Sequence, residues 1–260
     1  MKRREASVKA RLGVLDWGIG GMGVVRELRR RAPEVPVVYL SDTGFTPYGK
    51  APRAVLAARV ARMVAALADE GAVAVVVACN AASTVLGELG APWPVPVLGV
   101  IESALGMVPR SFRGTLGVVG GARTIRSGLY RRGLAAPGRR VVSRVAQPLS
   151  GHIEAGTAGS AACRAALDRI LSPLREADAI LLACTHYPAI AAAIAERAPR
   201  AKLLDPAAAL VTRVLAAPSL PRDGGRDRLL TTGDPTAMRA AAQRAWGFDP
   251  GRCHLKTIGG

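Results

Sequence analysis

Aromatic residues are scarce in this 260-residue chain, at 4% of the total, and lysine is scarcer still, with five against 31 arginines. Few aromatics and no nucleic-acid motif leave the net charge of +17 without a base-stacking surface. The charge reads instead as solvated arginines spread over helix faces, whose summed field draws in small anions. Only four cysteines are present, too few and too scattered for a disulfide framework, so a reducing cytoplasm is expected. The histidines number three (His152, His186 and His254) and no CxxC occurs. A zinc centre or a CxxC redox enzyme is therefore not expected. Lysines this few, none in a site-like loop, argue against a Schiff-base pyridoxal enzyme. No apolar run reaches the roughly 18 residues of a membrane helix. The opening MKRREASVKA leads into no apolar segment, so no signal peptide is expected.

What is present is a folding chain: half the residues are hydrophobic and 21% are charged. Short Val/Leu runs alternate with longer Ala/Leu/Arg stretches of helical period. Strands are expected over 12–16, 37–41, 73–78, 95–100, 115–119, 140–145, 179–183, 202–204 and 228–232. Helices are expected over 21–31, 52–69, 81–90, 103–111, 123–135, 158–176, 188–197, 206–217 and 235–246. Continuous apolar runs suit strands buried on both faces, hence a parallel α/β sheet with crossover helices.

The chain also echoes itself. Leu12-Gly13-Val14-Leu15 recurs as Leu116-Gly117-Val118-Val119, each followed by a Gly-rich turn. The apolar run ending in Ala78-Cys79 recurs, at nearly the same separation, as the run ending in Ala183-Cys184. Two halves built alike are expected: α/β, two pseudo-symmetric doubly wound parallel-sheet domains with the active site in the cleft between them. The expected division is 1–101 with 207–260, and 102–206. Ligands of open α/β sheets sit beyond the carboxyl ends of the strands. Two facing halves would therefore place Cys79 and Cys184 on opposite walls of one cleft.

Two thiols flanking a small molecule suit inversion at an acidic carbon. One thiolate removes a proton from one face and the other thiol donates to the opposite face. Ordinary thiol pKa values near ~8.5 leave both forms reachable. The α-carbon of an amino acid is a weak acid, so aimed donors and exclusion of water are also required. Asp16 ends the first strand, His186 follows Cys184 by two positions, and Glu154 lies in a Gly-His-Ile-Glu-Ala-Gly loop. These three are the candidate groups for tuning the thiols. Cys163 and Cys253 read as small buried hydrophobes, and Tyr39 and Tyr130 as packing residues. The turn Gly18-Ile-Gly-Gly21-Met-Gly23 departs from GxGxxG spacing. It suits backbone amides approaching a carboxylate as well as a nucleotide.

An ordered set of segments resembles a known family. It comprises Asp16-Trp-Gly-Ile-Gly-Gly21, Ser41-Asp-Thr43, Pro47-Tyr-Gly49, Ala78-Cys-Asn80, Gly99-Val-Ile-Glu102, Ala183-Cys-Thr-His-Tyr-Pro188 and Thr231-Thr-Gly-Asp-Pro235. Together they resemble the cofactor-independent glutamate racemases of the aspartate/glutamate racemase superfamily. The resemblance implies interconversion of L- and D-glutamate for peptidoglycan supply, without cofactor or metal, in a cytoplasmic homodimer. It implies Cys79 as the thiol acting on the D-enantiomer and Cys184 on the L-enantiomer. Asp16 would support the first, His186 the second, and Glu154 would assist. Asp16, Tyr48, Gly49, Asn80, Thr185 and His186 would contact substrate, along with the residues at positions 17 and 81. Two positions depart from the family pattern: Trp17 stands where a Ser is usual and Ala81 where a Thr is usual. Each removes a hydroxyl donor, and an unpaired polar substrate atom costs about 1–3 kcal/mol. The alternatives are a racemase of a different amino acid, or a racemase-fold protein with weak activity and a nucleic-acid-associated or regulatory role.

Overall fold

The structure, a computed structural model, describes residues 9–88, 93–217 and 220–258. The end of the helix expected over 81–90, and the chain ends 1–8 and 259–260, lie outside the described residues. In chain order the strands are β1 (Arg11–Asp16), β2 (Val37–Ser41), β3 (Ala72–Val77), β4 (Val97–Gly99), β5 (Gly114–Gly120), β6 (Arg139–Val145), β7 (Ala179–Ala183), β8 (Lys202–Leu204), β9 (Arg228–Thr231) and β10 (Cys253–Leu255). The helices are α1 (Met22–Arg31), α2 (Arg53–Asp69), α3 (Asn80–Ser83), α4 (Val100–Gly106), α5 (Ala122–Arg126), α6 (Leu129–Gly133), α7 (Gln147–Glu154), α8 (Ala161–Leu171), α9 (Ala191–Arg197), α10 (Pro206–Leu215) and α11 (Pro235–Trp246).

All pairings are parallel, in two sheets of order β10-β9-β2-β1-β3-β4 and β6-β5-β7-β8. The order β2-β1-β3-β4 in the first matches β6-β5-β7-β8 in the second, so the sequence echo corresponds to a structural one. Each Leu-Gly strand is central, and each strand preceding a cysteine lies beside it. The glycines of the two motifs serve the same close approach. A Cβ on Gly13 would come within 2.9 Å of Val75, and one on Gly117 within 3.0 Å of Ile180 and Leu174. In each half the chain steps from one side of the central strand to the other. That reversal opens a crevice at the strand carboxyl ends, between β1 and β3 and between β5 and β7. Helices α4 and α10 carry the chain between the sheets and pack on each other, with α10 also on α1.

The differences from the expected elements have local causes. The helix expected over 123–135 breaks into α5 and α6 because Gly128 takes a left-handed conformation, φ 70°. Helix α4 starts at Val100, which shortens β4 to three residues. The segment read as a glycine-rich loop around Glu154 is helix α7, with Pro148 in its first turn and Leu149 and Ile153 buried four apart. Strand β10 was not expected; it is three residues long and only its Cys253 is not exposed. Among the described residues no helix is long and apolar enough to cross a membrane.

Candidate active site

Between the two crevices lies a cavity of about 390 Å³. Its walls include Trp17, Tyr48, Gly49, Cys79, Asn80, Ala81, Glu154, Cys184, Thr185 and His186. The eleventh candidate, Asp16, is set apart, fully buried just behind that wall at the end of β1. Cys79 and Cys184 thus meet one cavity from corresponding strand ends of the two halves. Cys163 is buried in the core on α8, and Cys253 packs partly buried beside Met238.

The two thiols have different surroundings. Cys79 precedes α3, and its sulfur faces the amides of Ala82 and Ala81. It also lies within hydrogen-bonding reach of the Asp16 carboxyl. Burial first, and the Asp16 charge second, push the Cys79 thiol well above its usual range. Asp16 is itself raised by burial, although the charge of His186 and the Gly21 amide pull the other way. Its carboxylate accepts from Gly21 N at 2.7 Å, and from Thr185 Oγ1 at 3.2 Å across the cleft.

Cys184 is only half-buried and faces an imidazole, with Sγ 3.7 Å from His186 Nδ1. His186 Nε2 lies 2.6 Å from Glu154 Oε1, at the C-terminal end of α7. Burial pulls the imidazole down, but its hydrogen bonds to Cys184 and Glu154 and their charges carry it well above its ordinary value. Glu154 Oε1 also accepts from Ile19 N at 2.9 Å, tying α7 to the turn after β1. Gly18 and Gly20 are needed here: a Cβ would strike Glu154 at the first and Thr185 and His186 at the second. The resulting row is thiol, imidazole, carboxylate.

Trp17 lies on the wall, but its Nε1–H is already spent on the Phe45 carbonyl at 3.0 Å. It offers the cavity an apolar ring. The loop that follows is fixed from below by Asp42, which accepts from Tyr48 Oη (2.7 Å), Thr232 Oγ1 (2.8 Å) and the Arg59 guanidinium (2.7 Å). Several contributing residues escaped the sequence reading. Tyr130, expected as packing, is buried and donates to Asn80 Oδ1 at 2.6 Å, which orients the amide on the cavity wall. Tyr39, likewise, donates to Gly18 O at 2.6 Å beneath the first turn. Arg123, Gln147 and Lys50 line the cavity, and nothing local in the sequence separates this arginine from the other thirty. Among the described residues no group of three or more His, Cys, Asp or Glu side chains could hold a metal ion.

The profile of the family described as Asp/Glu/Hydantoin racemase matches residues 13–214. Among curated proteins, the glutamate racemase of Deinococcus radiodurans is 38% identical over 243 residues, covering 88% of this chain and 84% of that one. Among solved structures, glutamate racemase from Thermus thermophilus, in complex with beta-chloro-D-alanine, superposes with a TM-score of 0.83 at 32% identity, over 96% of this chain and 98% of the other. The RacE1 isoform from Bacillus anthracis gives a TM-score of 0.85 at 26% identity, over 97% and 98% of the two chains.

Proposed function

Because the chain belongs to the Asp/Glu/Hydantoin racemase family, we propose that it is a cofactor-independent glutamate racemase working with two thiols. The observation that carries this reading is the pair Cys79 and Cys184 on one cavity, each backed by its own proton-handling group. From L-glutamate, the Cys184 thiolate takes the α-proton while the Cys79 thiol gives its own proton to the opposite face. From D-glutamate the roles exchange. Asp16 serves Cys79, and His186 with Glu154 serves Cys184. Asn80, Thr185, Tyr48 and the Gly49 backbone hold the amino acid's polar groups, and the carbanion is sheltered from water in a site of ligand size.

The basic residues Lys50 and Arg123 at the wall favour an acidic side chain. Together with relatives named as glutamate racemases, they support glutamate over an apolar amino acid, Trp17 and Ala81 notwithstanding. The reading extends to a cytoplasmic homodimer supplying D-glutamate for peptidoglycan, built from domains 1–101 with 207–260 and 102–206.

The test is an enantiomer-resolved screen in heavy water. Glutamate should invert and gain α-deuterium, and Cys79→Ser and Cys184→Ser should each slow inversion by about 10²–10⁴-fold. Full activity in either variant overturns the two-thiol scheme. Absence of exchange with either glutamate enantiomer overturns the substrate assignment.

A further inference from the structure

Beside the site cavity lies another, of about 480 Å³, walled by Lys50, Arg53, Arg123, Arg126 and Arg132. Among the described residues no carboxylate lines it. Lys50 and Arg123 belong to both cavities, so the two meet at that wall. The cations come from both halves. Lys50 and Arg53 lie between β2 and the first turn of α2, on the half with six strands; the other three lie on α5 and α6, between β5 and β6 of the four-stranded sheet. Arg123 and Arg126, three apart, share a face of α5, and the left-handed turn at Gly128 brings α6 round so that Arg132 borders the same space. Like charges one helical turn apart destabilise a helix. Elsewhere the arginines find carboxylates, as in Arg197 with Asp168 and Arg29 with Asp227. Here Lys50 and Arg126 have no hydrogen-bond or ion-pair partner among the described residues, and Arg132 gives only its Nη2, to the Ser127 carbonyl at 3.1 Å. The hydroxyls of Thr84 and Ser127 are spent on the carbonyls of Ala81 and Thr124, so the donors left facing the space are charged.

We propose that this cavity binds a multivalent phosphate anion of the inorganic di- or triphosphate class, and that its occupant weakens substrate binding by neutralising the positive field that Lys50 and Arg123 lend to the site. Guanidinium forks converging from several directions match phosphate oxygens, which accept in several directions. The space is larger than the site cavity, which suits linked phosphates better than a single one. No aromatic ring lines it, so a nucleobase would have nothing to stack on. An anion held here touches cations of both halves and removes their mutual repulsion across the rim of the cleft. The same neutralisation reaches the substrate, because two of the cations are shared.

The effect on substrate rests on the glutamate racemase reading; the anion site does not, and the test separates them. Inorganic tripolyphosphate is titrated calorimetrically into the full chain, against orthophosphate at matched ionic strength. One tripolyphosphate should bind per chain, at least tenfold more tightly than orthophosphate. Arg126→Ala combined with Arg132→Ala should weaken it by about tenfold or more, as expected for lost charged hydrogen bonds. Without tripolyphosphate that variant should keep kcat within about twofold of the parent, since neither arginine lines the site cavity. Arg126→Ala alone replaces it if the double variant loses its native circular dichroism. In glutamate inversion, tripolyphosphate should raise KM equally for both enantiomers, by about two- to fivefold, the effect of partly screened charges. The rise should reach a plateau with kcat unchanged, because occupant and substrate are bound together. Tripolyphosphate binding no tighter than orthophosphate, binding that survives the double substitution, or a KM that climbs without limit as the anion competes inside the site cavity overturns the inference and leaves the racemase reading intact. Binding as expected in a protein that inverts neither enantiomer of glutamate keeps the anion site and overturns the reading beneath its effect on substrate.

Discussion

Cys79 and Cys184 follow corresponding strands, β3 and β7, at the same place in two similar sheets, yet their surroundings have diverged. The Cys79 wall is dry and anionic: a buried thiol against a buried carboxyl, with short-helix amides as counterweight to the thiolate. The Cys184 wall is half-exposed and holds an imidazole backed by a carboxylate. The chemistry these walls serve is symmetric. Enantiomers have equal free energy in water, so kcat/KM must be the same for both at every pH. The asymmetry can therefore appear only in kcat and KM separately, in isotope exchange and in thiol reactivity. A duplicated scaffold thus supplies the symmetric geometry, while the side chains around each sulfur give it a resting state: Cys79 protonated beside a carboxyl, and Cys184 beside an imidazole of raised proton affinity.

His186→Asn should break the comparison most severely. It removes the imidazole from one wall, so kcat should fall by about 10²-fold. Iodoacetamide labelling of Cys184, followed by peptide mass spectrometry, should slow while that of Cys79 does not. Equal slowing at both sulfurs would mean a general disturbance of the cleft.

Asp16→Asn sharpens the other wall. Folding raises the proton affinity of this carboxyl, so its stabilising contribution is complete below its unfolded pKa near 3.8 and is lost as pH rises through the folded value. At neutral pH the charged form costs stability. The amide should slow inversion about tenfold yet raise the melting temperature by about 2–4 °C, as expected for ~1 kcal/mol in a chain of this size. A lower melting temperature at neutral pH would show that hydrogen bonds from Gly21 and Thr185 outweigh desolvation.

Trp17→Ser returns a hydroxyl to the wall. One added hydrogen bond to substrate is worth about 0.5–1.5 kcal/mol, so KM for glutamate should fall by up to about tenfold. The lost ring packing and the lost bond to Phe45 O should lower the melting temperature in the same variant. An unchanged KM would mean that the indole ring faces the cavity without meeting substrate.

How far the sequence announced this arrangement depends on where each signal lies. Buried parallel strands are apolar runs, so nine strands could be located, and the Leu-Gly and Ala-Cys pairs disclosed the doubling before any coordinates. The same residues pointed to the shared cavity, since strand ends gather at a switch point. Helix α7 was hidden because Pro148 and Gly151 look like loop residues, while the evidence for a helix, Leu149 and Ile153 buried in the core, exists only once the core is formed. Tyr130 is an ordinary packing tyrosine until Asn80, fifty residues away, is placed against its hydroxyl. Groups acting through distant partners leave no local pattern.

Arg123 is the smallest lever and it joins the two walls. From α5 in the second half, its Nε donates to the Tyr48 carbonyl at 3.0 Å, and its Nη2 donates to that of Ala51. The loop it grips presents Tyr48 and Gly49 to the cavity, so the arginine holds a cavity-lining segment of one half from the other. Arg123→Ala should raise KM for glutamate by about three- to tenfold, since hydrogen bonds to a charged donor are individually worth about 1.5–3 kcal/mol and part of this is recovered by water. It should leave kcat nearly unchanged, because neither thiol nor its partner is touched. Arg123→Lys separates the two ways the residue could act. Lysine keeps the charge but lacks the planar fork that serves two carbonyls at once. If KM stays high in the lysine variant, the bridge sets the loop; if lysine restores it fully, the positive field at the mouth is sufficient and the bridge between the halves does not matter.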